Sequence, residues 1–242
     1  MTDDNLRIHA DFSQRAVVDT DGKSWIASPS SGVERKMLDR VGGEVARASS
    51  IVRYLPGSRF PEHTHGGGEE FLVLEGVFSD ETGDYGPGSY VRNPVGTSHA
   101  PFTDDGCTIF VKLWQFQDGD EEPVSIDTSK AAFSPGLVDG LTVCPLHQYK
   151  TESTALVRWQ PGTHFNRHTH FGGEEIFVLE GIFEDEQGVY PAGTWLRNPH
   201  GSVHTPFSNA GCLIYVKVGH LLEENGTLSD PGARTGTVRS SA

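Results

Sequence analysis

Short apolar runs closed by glycine or proline recur along the chain, and they predict strands rather than helices. Residues 51–55 form one run, ended by Pro56 and Gly57, and residues 71–74 form a compact second one. Residues 77–80 lead into the turn Glu81-Thr82-Gly83, with Tyr85 beyond it, and residues 89–91 precede Asn93 and Pro94. Residues 108–116 alternate apolar and polar positions, which puts one face of a strand toward a core. Upstream the signals are weaker. Residues 15–19 and 24–27 read as short strands around the turn at 20–23, residues 28–32 as a loop, and residues 33–41 as a strand or a helical turn. Many short strands at close spacing, with no amphipathic helix among them, predict an all-β sandwich or barrel.

The same pattern then repeats. A shift of 105 residues (168 minus 63) superposes His63 on His168, His65 on His170, Glu69 on Glu174 and His99 on His204 without a gap. Over residues 53–112, 33 of 60 positions are identical to their partners, a unit far longer than a solenoid repeat. Two tandem domains follow: a first over residues 1–117, an acidic linker over 118–130, and a second over 131–242. The linker run Asp118-Gly119-Asp120-Glu121-Glu122-Pro123 is charged and turn-rich, so exposure is expected. The tail from about residue 223 lacks apolar periodicity and is expected to be poorly ordered.

The repeated unit carries metal-ligand chemistry. On a strand, alternate side chains share a face, so His63 and His65 aim at one point while Thr64 faces away. Gly66, Gly67 and Gly68 allow a sharp turn that returns Glu69 to that point, with Glu70 directed to the other side. His99 is the fourth ligand from another strand. His168, His170, Glu174 and His204 repeat the set. Three imidazoles and a carboxylate suit a divalent transition metal at each of two sites, zinc or iron first, manganese or nickel next, with cobalt and copper also compatible. Calcium and magnesium do not fit three nitrogen donors.

Composition narrows the partners. The formal net charge is -14, from 33 acidic and 19 basic residues, which disfavours nucleic acid and anionic membranes. The three cysteines, Cys107, Cys144 and Cys212, show no disulfide framework; Cys107 and Cys212 occupy equivalent places and read as buried strand thiols. Residues 1–13 lack an apolar leader core and no run of about 18 apolar residues occurs, so the cytoplasm is the expected location. His147, His164, His200 and His220 have no histidine partner in the other half. Strand alternation would turn His164 and Arg59 inward, where they would meet an anionic substrate; a rim ion pair is the other reading. His200 reads as a surface group, and Arg92 and Arg197 as strand-edge packing. Phe60, Phe71, Phe165, Tyr90, Trp159 and Trp195 read mainly as barrel core.

Gly57, His63, His65, Glu69 and Gly76, followed by Gly88, Pro94, Gly96 and His99, resemble the two cupin motifs, and the second half repeats both. The second motif often closes on Asn; Thr103 and Ser208 stand there, which puts that polar contact in doubt. The finer pattern, His-Thr-His, Gly-Gly-Glu-Glu, Val-Leu-Glu-Gly, Arg-Asn-Pro and His-x-Pro-Phe, resembles the cupin domain of ChrR-type anti-sigma factors over residues 51–114 and 155–218. That resemblance implies two jelly-roll β-barrels, a bicupin, with one metal inside each. The expected function is that of a metal-binding bicupin of ChrR-like type. One alternative is an Fe(II)-dependent dioxygenase acting on a small diketone or phenolic compound. Another is a regulatory or sensor protein of an oxidative-stress sigma/anti-sigma system, weakened because residues 1–50 hold no cysteine and only His9 to grip a sigma factor. Edge strands also leave room for a homo-oligomer.

Overall fold

The computed structural model of the chain describes residues 6–222. The leading residues 1–5 and the tail from 223 lie outside the described residues, and with them the expectation of a poorly ordered tail. Among the described residues there is no helix, and every paired strand is antiparallel or an edge addition to an antiparallel sheet. The chain divides into two compact units.

In the first unit one sheet runs in the order Arg7–Ile8, Val33–Val41, Arg47–Tyr54, Cys107–Leu113, Glu69–Gly76, Ser89–Asn93 and Val124–Asp127, with Ile26–Ala27 added on Val33–Val41. Residues 33–41 thus resolve as strand, paired from Val33↔Tyr54 to Val41↔Arg47. A two-stranded ribbon, His63–Thr64 with Ser98–His99, brings two predicted ligands together, and a hairpin of Phe78–Asp80 with Gly83–Tyr85 lies beside it in sequence. The core gathers Val33, Tyr54, Phe71, Val73, Phe78, Val91, Ile109 and Val111 on one face of the sheet. The opposite face is buried as well. Glu70, Leu72, Tyr90, Arg92, Phe110 and Lys112 are each at most 2 % exposed, which is why the period-two contrast along these strands is weak.

That second buried face mixes apolar residues with charged ones that are held by specific partners. Arg92 places Nη1 3.2 Å from Asp120 Oδ1 and Nη2 2.8 Å from Oδ2, and Nε 3.4 Å from Glu70 Oε2. Its guanidinium also lies 4.0 Å from the Phe116 ring centroid. Lys112 Nζ donates to Ser49 Oγ at 3.0 Å. Two expectations are corrected here. Arg92 is fully buried rather than packed at a strand edge, and Asp120, in the linker expected to be exposed, is 3 % exposed. A guanidinium taken out of water needs a carboxylate with matching fork geometry, and the linker supplies it.

The second unit has its own sheet, in the order Ser134–Pro135, Leu141–Tyr149, Glu152–Trp159, Cys212–Val218, Glu174–Asp185, Thr194–Asn198 and Ala16–Asp19. Its core collects Leu141, Trp159, Ile176, Val178, Phe183, Tyr190, Leu196 and Ile214. The last strand in that order corrects the expected boundary of the first domain. Ala16–Asp19 pairs with Thr194–Asn198, from Ala16↔Arg197 to Asp19↔Thr194, so residues 11–24 belong to the second unit. The local sequence marks a strand there, with Ala16 and Val18 buried and Val17 and Asp19 turned out, but a strand's partner is a non-local fact. Phe12 anchors the segment under the Arg197 guanidinium at 4.2 Å, and Arg197 Nη2 donates to the Asp11 carbonyl at 3.1 Å. Arg197, 0 % exposed, is likewise no edge residue.

Candidate metal centres

Each unit brings its four predicted ligands together: His63, His65, Glu69 and His99 in one, His168, His170, Glu174 and His204 in the other, with all ligand atoms of a set within 4.8 Å of one another. Strand register does much of this. His63 is the cross-strand partner of His99, and His168 of His204. The glycine turn then carries the chain into the central strand, whose first residue is the glutamate. Gly68 has φ +76, and a Cβ there would overlap the Phe116 ring, so the turn is closed to other residues.

The two turns are packed differently. In the first unit Gly66 and Gly67 lie against the Trp114 indole, and Trp114 itself sits in the left-handed region at φ 59. At the equivalent places of the second unit stand Phe171 and Gly219, the glycine at φ 75. The strand end supplies a ring against the turn in the first unit, whereas in the second Gly172 lies against Gly219 and the exposed Phe171 ring meets His200 at 5.3 Å.

The rings are aimed by hydrogen bonds on their far nitrogens. His63 Nδ1 donates to the Pro61 carbonyl at 3.1 Å, and His168 Nδ1 to the Asn166 carbonyl at 2.9 Å. His99 Nδ1 meets Asp80 Oδ2 at 3.1 Å, and His204 Nδ1 meets Asp185 Oδ2 at 3.3 Å. His65 Nδ1 lies 2.9 Å from Thr97 Oγ1, whose own hydroxyl donates to the Pro94 carbonyl at 2.7 Å, so the imidazole is the donor. His170 Nδ1 lies 2.9 Å from Ser202 Oγ. With protons held on Nδ1, the Nε2 lone pairs face inward, toward one another and toward the glutamate.

That inward arrangement is unsatisfied by protein alone. His65 Nε2, His99 Nε2 and His204 Nε2 are buried with no hydrogen-bond partner. His168 Nε2 and His170 Nε2 stand 3.0 Å apart, lone pair against lone pair when both rings are uncharged. Glu69 Oε1 is 3.6 Å from His65 Nε2 and 3.5 Å from His99 Nε2; Glu174 Oε2 is 3.4 Å from His170 Nε2 and 3.7 Å from His204 Nε2. Donors about 2.1 Å from a common ion are separated by about 3.0 Å at a right angle and about 3.4 Å at the tetrahedral angle. The residues present therefore fit a divalent ion in chemistry and in spacing. His63 and His168 are the half-exposed members of their sets, and the other three of each are buried.

The glutamates are held as well. Asn93 is the cross-strand partner of Glu69 and donates from Nδ2 to Oε1 at 3.2 Å; Asn198 is the partner of Glu174 and donates to Oε2 at 2.9 Å. Asp80, Thr97 and Asn93, with their equivalents Asp185, Ser202 and Asn198, were missed as site residues from sequence. A signal existed, because all three pairs keep their chemistry at the 105-residue offset (185 minus 80).

Other expectations fall differently. Arg59 and His164 do not turn inward. Arg59 is exposed, 3.4 Å from Asp104 and over the Phe102 ring, and His164 stacks on Phe207 at 5.2 Å. The strand containing His164 ends there, four residues before His168, so alternation does not carry across. His200 is an exposed surface group whose Nδ1 accepts from the Gly172 amide at 2.9 Å. Thr103 Oγ1 donates to the Val77 carbonyl at 2.7 Å and Ser208 Oγ to the Ile182 carbonyl at 2.6 Å, so the residues replacing the usual Asn tie loops rather than reach the centre. Cys107 and Cys212 are buried strand thiols, each pushed up to about 11 by burial.

Burial also holds the His65 and His170 imidazoles below the ordinary histidine range, against the opposing pull of Glu69 and Glu174. Burial raises the Asp185 carboxyl, but hydrogen bonds from His204, Tyr190 and the Gln187 amide, with the Arg15 charge, bring it below the usual range. Both effects have the same sign in acid. The unfolded chain binds protons at these groups before the folded chain does, so stability is lost as pH falls. The imidazole contribution is complete above about pH 6.5 and declines below it; the Asp185 contribution follows below about pH 4. The urea midpoint of metal-free protein should thus fall between pH 7.5 and 5.5, and an unchanged or higher midpoint at the lower pH would contradict the assignment.

The sequence model for the ChrR cupin-like domain matches the chain twice, over residues 13–117 and 121–222. No match was found among curated proteins. Among solved structures, a provisionally assigned dioxygenase from Nostoc punctiforme is similar at TM-score 0.72 and 15% identity, covering 90% of this chain and 88% of that one. The oxalate decarboxylase of Lactobacillus farciminis is similar at TM-score 0.61 and 12% identity, covering 85% and 86%. The Ylba protein of E. coli is similar at TM-score 0.65 and 16% identity, covering 88% and 94%. At such identities these likenesses speak for the shared barrel fold. Two matched copies of the domain over most of the chain, each enclosing a three-histidine, one-glutamate cluster, place this protein in the ChrR cupin-like family as a bicupin.

Proposed function

We propose that the chain binds one divalent transition metal in each barrel, through His63, His65, Glu69 and His99 and through His168, His170, Glu174 and His204. The observation that carries this reading is the direction of the imidazoles: every Nδ1 is engaged outward, which leaves the Nε2 lone pairs and a carboxylate converging on one point. Zinc or iron suits this donor set best, and manganese or nickel is compatible. A bound ion would supply a Lewis-acid position for the oxygen atoms of a small ligand.

The catalytic reading of the same centres is a metal-dependent dioxygenase acting on a small diketone or phenolic compound. Two observations favour it over a closed structural site. His63 and His168 are half-exposed, so each cluster is reached from one side. A dioxygenase assignment also attaches to one similar structure. In this reading the buried histidines and the Asn93 and Asn198 amides hold the ligand set rigid, while Phe60 and Phe165, 5.0 and 5.1 Å from the His63 and His168 rings, give the approach an apolar wall. The test pairs elemental analysis of protein purified without added metal with oxygen uptake against a panel of diketones and phenols. Two equivalents of metal with substrate-dependent uptake support both levels of the reading. Stoichiometric zinc that resists exchange, with no uptake, leaves the binding and removes the oxygenase.

A further inference from the structure

The two centres share their ligands and the groups behind those ligands, yet one cation separates them. Arg15 enters the second unit one residue before the edge strand Ala16–Asp19, fixed by Phe12 on one side and by the pairing Ala16↔Arg197 on the other. Its Nε donates to Asn198 Oδ1 at 2.9 Å, and Asn198 Nδ2 in turn donates to Glu174. Its Nη2 donates to Tyr190 Oη at 2.6 Å and lies 3.5 Å from Asp185 Oδ2, the oxygen that His204 Nδ1 meets. The Tyr190 hydroxyl donates to the other oxygen, Asp185 Oδ1, at 2.8 Å. One guanidinium therefore grips, at the same time, the residue behind Glu174 and the residue behind His204.

Nothing equivalent serves the first centre among the described residues. Asp80 Oδ1 accepts from the Thr82 amide at 2.8 Å and from its hydroxyl at 2.5 Å, and Tyr85, the counterpart of Tyr190, bonds to Thr82 instead. Asn93 still reaches Glu69, with no cation on its Oδ1. The residue leading into the edge strand Val124–Asp127 of that sheet is Pro123, which has no side-chain donor.

We propose that Arg15 is a positioning residue of the second centre, which fixes Glu174 through Asn198 and His204 through Asp185, and that the two centres of this chain are in consequence inequivalent. An amide has two orientations, and only one presents Nδ2 to the glutamate; a cation on Oδ1 selects it. Groups behind metal ligands act by setting ligand orientation and basicity. The inference rests on the reading that both clusters bind a metal.

Co(II) is the probe, because its visible absorption reports coordination as well as occupancy. Full-length chains with His63→Ala and His65→Ala isolate the second centre, and chains with His168→Ala and His170→Ala isolate the first. In the second-centre chain Arg15→Gln should weaken Co(II) binding by about 10- to 100-fold in chelator competition and shift the visible bands. In the first-centre chain the same substitution should change neither. Arg15→Lys keeps the charge but not the fork, so it should also lose affinity at the second centre, and it provides the test if Arg15→Gln does not fold. Unchanged affinity and bands at the second centre, equal losses at both centres, or full affinity with Arg15→Lys would each overturn the proposal. If the otherwise unaltered chain takes up fewer than two equivalents of Co(II), the metal-binding reading fails first, and with it this one.

Discussion

Replacing His65 and His99 by alanine should leave the chain with one equivalent of divalent metal where the unaltered protein retains two. The first centre then keeps only His63 and Glu69, and His63 is its half-exposed member. Two ligands do not hold a transition ion against water and buffer, whereas four closing on one point do. The second centre lies in a separate unit with its own sheet and should keep its metal, so the loss is one equivalent and not both. Elemental analysis after dialysis against a weak chelator reads this directly. The stability effect should depend on metal. An ion bound at about 100 times its Kd contributes about 2.7 kcal/mol to the folded state, and that linkage disappears for the altered centre. Without metal the same substitutions should cost less, because they remove rings whose buried Nε2 atoms have no partner. Retention of two equivalents would mean that these side chains do not form the site.

Asp120→Ala should be strongly destabilising although it lies away from the centres. Arg92 is 1 % exposed and Asp120 is 3 % exposed, and their two facing contacts are 3.2 and 2.8 Å long. Removing one partner of a buried pair leaves a charge in a medium that cannot solvate it, which costs about 3 kcal/mol or more. Glu70, 3.4 Å from Arg92 Nε, offsets part of this, so the lower end is expected. The urea midpoint of unfolding should fall accordingly. Asp120→Asn, which keeps an acceptor of similar shape, should lose less. A midpoint unmoved by Asp120→Ala would show that water or another side chain takes over the guanidinium.

The centres were legible because their geometry is local twice over. His63-x-His65 on a strand and the glycine turn to Glu69 need no distant information, and the 105-residue repeat identified His99 and His204 by correspondence. The residues behind the ligands were less legible. Asp80, Thr97 and Asn93 look like ordinary turn and strand-end residues; their recurrence at the 105-residue offset marks them, and the structure shows that each bonds a candidate ligand. Arg59 and His164 misled because strand alternation was carried through a segment that is not strand. Asp120 misled because a charged, turn-rich run is normally solvated, and here a buried Arg92 claims one of its carboxylates.

By itself the sequence determined the all-β class, the twofold repeat and the eight candidate ligands, since each follows from period-two spacing, glycine turns and self-similarity read along one chain. Tertiary structure alone decided which sheet takes the edge strand Ala16–Asp19, that both faces of the first sheet are buried, and that Arg15 stands behind the second centre with no counterpart at the first among the described residues. The physical reason is the same in each case. Strand partners and buried ion pairs join residues more than a hundred positions apart or across a turn-rich linker, and a backbone's local preferences fix its shape without fixing what it meets.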